Sequence, residues 1–391
     1  MADPTPLAAL PESTPVLDID GLIDDPGVKV IVCCGSGGVG KTTTAASLGL
    51  RAAERGRKVC VMTIDPARRL AQSMGLSQLD NTPRSVAGVD DANGGSLDAM
   101  MLDMKRTFDE IVESHSDPGR AQAILENPFY QALSTSFAGT QEYMAMEKLG
   151  QLRSAAETTG EWDLIIVDTP PSRSALDFLD APKRLGSFLD GRLMKLLSAP
   201  ARGAGKFGAK VVGASLSVVT GTLTKVIGAQ VLKDLQGFVS SFDALFGGFR
   251  QRAEATYAQL QAPDTRFLVV AAPERDALRE ASYFVERLAG EDMPLAGLIL
   301  NRVQEVPLPN LSAETALAGA DRLDENGEHP LTAGMLRLHA DRVANGQRQR
   351  RLAQRFSTAH PRVPAAAAPA LAGDVHDLDG LREVAAALAD Q

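Results

Sequence analysis

The run Gly35-Ser36-Gly37-Gly38-Val39-Gly40-Lys41-Thr42 constrains this chain more than any other feature. It follows the apolar stretch Val30-Ile31-Val32-Cys33-Cys34 and precedes the helix-forming stretch Thr43-Thr44-Ala45-Ala46-Ser47-Leu48. Strand, glycine turn and helix start, in that order, is the context in which such a loop wraps phosphate. The glycines let successive backbone N–H groups point inward around phosphate oxygens, where a side chain would clash. The helix N-terminus adds a favourable field for anions. In this pattern Lys41 reaches the β- and γ-phosphates and the Thr42 hydroxyl ligates Mg²⁺. The chain is expected to bind a nucleotide there.

Five short apolar runs recur along the sequence with helical material between them: Lys29–Cys34, Lys58–Asp65, Asp163–Thr169, Arg266–Ala272 and Ala296–Asn301. Leu97–Asp103 is a candidate sixth. The runs are nearly continuous in Val, Ile and Leu rather than alternating, which suits parallel strands covered on both faces. The expected fold is α/β, a doubly wound, mostly parallel sheet with the ligand at the carboxyl ends of the strands. Residues 1–26 read as a mobile leader and 27–391 as the phosphate-loop domain. Helical insertions interrupt that domain at about 104–160 and 176–260. The first insertion places Met104, Phe108, Ile111 and Val112 at helical spacing. The second holds an apolar middle, residues 186–249, open to two readings: an ordinary packed subdomain, or a movable surface for a hydrophobic partner. In the tail, Pro364–Pro369 is rich in alanine and proline, and Asp377–Ala389 reads as a closing helix.

Phosphoryl transfer to water needs a cradle, a metal, a group that orients the water and positive charge on the transition state. Asp168 ends the strand Leu164-Ile165-Ile166-Val167 and is placed to hold Mg²⁺ with Thr42; its bland alternative is a capping aspartate. Asp65 ends the strand after the loop helix and is placed to orient or deprotonate the water. It would equally serve as a helix N-cap before Ala67. Asn301 ends the last strand, where its amide could read the adenine edge and Arg302 could stack, or where it could simply form a turn.

The net charge of −9 argues against a nucleic-acid surface as the main business. The three cysteines, Cys33, Cys34 and Cys60, all fall in strand-like runs and read as core residues rather than as a zinc or disulfide framework. Met1–Pro15 carries acids and prolines instead of a basic start and an apolar run. No segment is long and apolar enough to span a bilayer; the nearest is Val211–Thr224. A cytoplasmic location is expected.

On Gly-x-Gly-Gly-Val-Gly-Lys-Thr-Thr (residues 35–43), Thr63-x-Asp65-Pro66-Ala67, Asp168-Thr169-x-Pro171 and the strand-final Asn301, the chain resembles the arsenite-pump and tail-anchored-protein-targeting ATPases. Within that group it is similar to the actinobacterial paralogues usually called anion-transporting ATPases, through Leu102-Asp103-Met104, Gly139-Thr140-Gln141-Glu142-Tyr143 and Asp177-Phe178-Leu179-Asp180-Ala181-Pro182. The resemblance implies Mg-ATP hydrolysis coupled to opening and closing of a dimer, which reshapes a helical subdomain. It implies family roles for Lys41 and Asp65 in catalysis, for residues 35–43, Asn301 and Arg302 in nucleotide binding, and for Thr42 and Asp168 at the metal. Val363-Pro364 would be the loop that closes over adenine.

The sequence departs from that pattern in three ways. Ser36 stands where the family has a lysine that crosses the dimer to the partner's phosphates. A trans cation of that kind contributes about 10³–10⁵ in rate, so hydrolysis by a homodimer should be slow. The Cys-x-x-Cys that staples targeting-factor dimers is absent, and so is any cysteine set for arsenite. A lysine-bearing paralogue could complete the site. Arg68 or Arg173 could replace the charge, although both also read as solvated surface groups. The leading expectation is an ATPase switch handling an apolar client. Its rivals are a weakly active regulatory subunit and an ATP-gated holdase; a small-molecule kinase would need an arginine-rich lid that is not evident.

Overall fold

The computed structural model describes residues 10–64, 69–76, 79–128, 130, 131, 134, 140–170, 251, 252, 254–327 and 329–390. The chain divides into two compact units, one formed by residues 1–101, 155–175 and 260–391, the other by 102–154 and 176–259.

The first unit is built on an eight-stranded sheet in the order β3-β4-β2-β5-β1-β6-β7-β8. Its strands are β1 (Val30–Gly35), β2 (Lys58–Thr63), β3 (Arg84–Ser85), β4 (Ser96–Met101), β5 (Leu164–Asp168), β6 (Thr265–Ala271), β7 (Leu295–Val303) and β8 (Ala365–Pro369). Every neighbouring pair is parallel except β3–β4. The five expected strands are β1, β2, β5, β6 and β7, and the candidate sixth is β4. In β1 and β5 every residue is buried, so both faces are covered, as the unbroken apolar runs require. The order reverses around β1, whose two neighbours are β5 and β6. This is the switch point at which an α/β sheet opens a crevice beyond its strand ends.

One face of the sheet packs Ile31, Val61, Leu97, Ile166, Leu268 and Ile299 against four helices: α1 (Ile19–Asp24), α2 (Lys41–Glu54), α3 (Arg69–Ser73) and the last helix of the chain, Leu378–Ala389. Gly49 on α2 is needed for this contact, because a Cβ there would press within 3.5 Å of Leu97 Cδ1 and closer still to Val61.

Two features of the first unit differ from the sequence reading. Part of the supposed mobile leader is docked. Leu17, Ile19 and Ile23 are buried, Val16 bridges in parallel to Ala365, and Leu17 N–H donates to the Ala365 carbonyl at 3.0 Å. The segment thus covers the β8 edge, which would otherwise present unpaired backbone. Three apolar side chains in a stretch otherwise rich in acid and proline carry this docking. The second difference is β8 itself. Alanine has little strand preference and proline less. Here four small, buried residues, Ala365 to Ala368, let a helix approach closely, and Pro369 sits at the strand end where its missing N–H matters least.

In the second unit, α4 (Met104–Ser114) is capped by the Asp103 carboxylate, which accepts from Arg106 N–H at 2.9 Å. It buries Phe108, Ile111 and Val112 at the expected spacing, with Met104 half-buried. α5 (Pro118–Leu125) and α6 (Thr140–Thr159) follow. Phe108 meets Tyr130 edge-on at 5.5 Å, and the Tyr130 hydroxyl donates to Asp109 at 2.6 Å. The apolar stretch 186–249 lies outside the described residues.

Among the described residues, the remaining helices, α7 (Arg275–Gly290), α8 (Ala313–Glu325), α9 (Pro330–Ala359) and α10 (Leu378–Ala389), belong to the first unit. Among the described residues, no helix is long and apolar enough to cross a membrane.

Candidate functional site

The loop of residues 35–42 leaves β1 and enters α2, which begins at Lys41 with Gly40 at its N-cap. Gly38 and Gly40 adopt φ of +75° and +94°, in the left-handed region where a side chain is strained. At Gly35 space is the constraint: a Cβ would overlap the Val270 carbonyl oxygen of β6. At Gly40 a Cβ would overlap the Asn301 amide nitrogen. Gly37 and Gly38 are exposed, Ser36, Thr42 and Thr43 are half-buried, and Val39 is buried.

Lys41 is only 7% exposed, and its ammonium donates to the Ser36 carbonyl at 2.8 Å. Its positive charge is thereby held within the arc of the loop rather than in solvent. That arrangement suits a multiply charged anion, since backbone N–H groups and a helix N-terminus favour the same sign of ligand.

Asp168 ends β5 and is fully buried. One of its oxygens, Oδ2, accepts two hydroxyl hydrogens, from Thr42 at 2.6 Å and from Thr63 at 2.8 Å. Because Thr42 gives its hydrogen to Asp168, its oxygen lone pairs point elsewhere and are available to a cation. A hard oxygen donor with a carboxylate behind it fits Mg²⁺, which takes one or two protein oxygens and completes its shell with phosphate and water. It does not fit an all-protein cage. Among the described residues, no group of three or more His, Cys, Asp or Glu could hold a metal.

Thr63 stood in the motif Thr63-x-Asp65-Pro66-Ala67 without a role, and the structure sets its hydroxyl against Asp168. It sits at the end of β2 beside Ile64, whose N–H donates to the Asp168 carbonyl at 3.0 Å. The available signal was its position: a hydroxyl residue two places before Asp65, at a strand's carboxyl end. Thr169, next to Asp168, turns back on β1, with its hydroxyl donating to the Cys33 carbonyl at 2.9 Å.

Asn301 is buried within β7, two residues before the strand ends at Val303, rather than at the strand end the sequence suggested. Its amide nitrogen donates to the Val39 carbonyl at 2.8 Å, and its oxygen accepts from Arg302 N–H at 2.9 Å. Arg302 is exposed, with a left-handed φ of +61°. Pro364 lies just before β8, and its carbonyl accepts from Leu298 N–H at 2.8 Å. The structure brings together Lys41, Thr42, Asp168 and Asn301; Asp65, Arg68 and Arg173 lie outside the described residues.

The three cysteines are buried, and none is in a disulfide. Burial pushes the Cys34 thiol up to about 12, against the pull of the Lys41 charge. Burial, and then the Asp168 charge, hold Cys33 well above its usual range. The Cys33 and Cys34 thiols stay protonated at neutral pH and are poor soft-metal ligands.

The geometry can be set beside known proteins. A family model described as Anion-transporting ATPase matches residues 28–314. The chain is 32% identical to "ATPase GET3" of Malassezia globosa over 168 residues, 43% of this chain and 46% of that protein. It is 26% identical to "ATPase get3" of Schizosaccharomyces pombe over 296 residues, 73% and 76% of the two chains. It is 25% identical to "ATPase ASNA1 homolog" of Entamoeba dispar over 295 residues, 75% and 82%. The match thus spans less than half of the first relative and at least three quarters of the other two.

Proposed function

The chain belongs to the anion-transporting ATPase family, and from that membership we propose that it is an ATPase switch. It binds Mg-ATP on residues 35–43, hydrolyses it, and uses its nucleotide state to reshape the helical unit of residues 102–154 and 176–259. The observation that carries this reading is the Thr42–Asp168 hydrogen bond of 2.6 Å beside the buried Lys41, at the end of a glycine loop.

Each residue has a defined task. Lys41 supplies fixed positive charge to the β- and γ-phosphates from within the loop. The inward-facing N–H groups of residues 37–42 bind phosphate oxygens. Thr42 offers its lone pairs to Mg²⁺ while Asp168, held by Thr42 and Thr63, keeps that hydroxyl oriented. When bound, Mg²⁺ neutralises charge on the triphosphate. Asp65 orients the attacking water; in its support, Thr63 and Ile64 just before it are both tied to Asp168.

Ser36 favours a particular form of this activity. A serine brings no charge to a partner's phosphates, so the protein alone turns over slowly and works in a dimer or larger assembly with a chain that supplies a cation. The client is an apolar protein segment, received by the apolar residues between 186 and 249. Phosphate release measured with and without a lysine-bearing paralogue tests this. Slow turnover that the paralogue accelerates at least tenfold supports the reading. Fast turnover by the isolated chain, indifferent to any partner, contradicts it.

A further inference from the structure

We propose that the open face of α9 is a contact between two copies of this chain, in which their α8–α9 hairpins pair antiparallel about a two-fold axis at Met335. The pairing goes beyond the nucleotide reading and needs nothing from the phosphate loop.

α9 is longer than its place in the fold requires. It returns the chain from the carboxyl end of β7 to the amino end of its parallel neighbour β8. Residues 346–349 already stand level with the end of β7. A Cβ at Gly346 would lie 3.3 Å from Val306, and the Gln349 side chain accepts from Gln304 N–H at 2.8 Å. At a helical rise of 1.5 Å per residue, the turns from Pro330 to Asn345 extend about 24 Å past that level. There α9 packs along α8, whose buried residues, Ala316 and Ala320, are small. That contact covers one side of α9.

The other side is a packing seam filled over only half its length. Leu331, Met335, Leu338 and Arg342 follow one another at steps of four, three and four residues, and Gln349 and Phe356 continue that face at steps of seven. Where the face runs beside the body it is covered: Gln349 is half-buried and Phe356 is 5% exposed. Past the end of β7 it is open, with Leu331 84%, Met335 71% and Leu338 54% exposed. Apolar residues recurring every 3.5 positions on average are the pattern by which one helix receives another. A contiguous apolar stripe of this kind on a surface marks a contact.

Spacing and charge favour a second copy as the occupant. In an antiparallel pairing centred on Met335, Leu331 of each helix meets Leu338 of the other. The stripe is thus its own complement, as a two-fold interface demands. Arg342, seven residues past the centre, comes level with the other copy's α8–α9 turn, which follows Glu325. Arg342 and Glu325 are both exposed, and neither has an ion pair among the described residues. The neighbouring Arg337 is already engaged by Asp321 and Asp324 of its own hairpin. Two Arg342–Glu325 pairs, one on each side of the axis, would flank the apolar centre.

Sedimentation velocity of the full chain without nucleotide, from low to high micromolar concentration, tests this. Three apolar side chains per copy make a small interface, so a dimer that dissociates in the micromolar range is expected. Met335→Asp sets two like charges face to face on the axis and should weaken the dimer at least about tenfold. Its site is exposed, so the fold is untouched. Arg342→Glu and Glu325→Arg should each weaken the dimer about threefold, and the double exchange should restore it. Met335→Cys should close to a covalent dimer under mild oxidation, whereas Ala318→Cys, on the exposed side of α8, should not. A chain that stays monomeric throughout, or a dimer indifferent to Met335→Asp, overturns the proposal. So does a dimer that forms only with Mg-ATP, which would belong to the nucleotide reading. Protection of residues 330–342 from hydrogen exchange only when a lysine-bearing paralogue is added assigns the stripe to that chain and overturns the proposal as well.

Discussion

Thr63 and Asp168 stand opposite each other across the parallel pair β2–β5, and their side chains meet: the Thr63 hydroxyl donates to Asp168 Oδ2 at 2.8 Å. The same oxygen receives the Thr42 hydroxyl at 2.6 Å. Asp168 is thus fixed from a strand end on one side and from the loop helix on the other. In the proposed role of Asp168, steering a hydroxyl that would ligate Mg²⁺, this matters, since outer partners of a metal ligand often affect affinity by about 10–100-fold.

Thr63→Val keeps the side-chain shape and removes the donor. The concentration of Mg²⁺ that half-saturates ATP binding should rise about three- to tenfold. Thr63→Ser, which keeps the hydroxyl, should stay near wild type. Calorimetry at graded Mg²⁺ reads both. Equal magnesium requirements for Thr63→Val and wild type would show that Asp168 needs no such support.

Gly38 and Gly40 separate conformational strain from collision. Both have positive φ, but a Cβ at Gly38 meets nothing within 4 Å, whereas one at Gly40 overlaps Asn301. Gly38→Ala should cost about 1 kcal/mol in denaturant unfolding. Gly40→Ala should cost about 2–4 kcal/mol and also weaken ATP binding. Equal costs would mean that the Gly40–Asn301 contact relaxes freely.

The fold and the site were legible to different extents, and the reasons are physical. The unbroken apolar runs of β1 and β5 announced parallel strands because both faces of those strands are buried. Residues 35–42 announced their conformation because glycines at 38 and 40 are required there. β8 was not legible: four alanines carry no strand signal, and only packing against a helix explains them. The docking of Leu17, Ile19 and Ile23 was hidden because three apolar residues among acids and prolines look like a leader. The partners of Thr63 and Asn301 were not legible for another reason, although Thr63 itself stood in the Thr63-x-Asp65 motif. Each contact depends on a partner more than 100 positions away, and no local pattern encodes such a distance.

Arg57 tests the docking of the N-terminal segment. Its buried guanidinium donates to the carbonyls of Ile23 at 2.8 Å, Asp25 at 3.0 Å, Val28 at 2.9 Å and Asp163 at 2.9 Å, and it pairs with the Asp163 carboxylate. Arg57→Met leaves those acceptors unsatisfied and should cost about 2–4 kcal/mol. Residues 17–28 should lose protection in hydrogen exchange before the rest of the chain. Protection equal to wild type would remove Arg57 as the anchor.

The buried thiols predict a pH dependence. The Cys34 pKa is pushed from 9.0 to about 12 in the folded chain. Below pH 9 both folded and unfolded chains keep that proton, and the contribution to stability is full. Above pH 9 the unfolded chain loses the proton first, so stability falls by roughly 1 kcal/mol per pH unit from this thiol until the folded pKa is reached. Urea unfolding of wild type and Cys34→Ala should therefore diverge in slope above pH 9 and run parallel below pH 8. Parallel curves up to pH 11 would contradict the burial effect.

The central claim is that residues 35–43 hold a magnesium triphosphate around Lys41. Titration calorimetry of wild type and Lys41→Met with Mg-ATP tests it most directly. Saturable binding by wild type, weakened by EDTA and reduced at least about 100-fold in Lys41→Met, is the predicted result. A well-folded wild type that binds no Mg-ATP, or a Lys41→Met variant that binds it equally well, would contradict the claim.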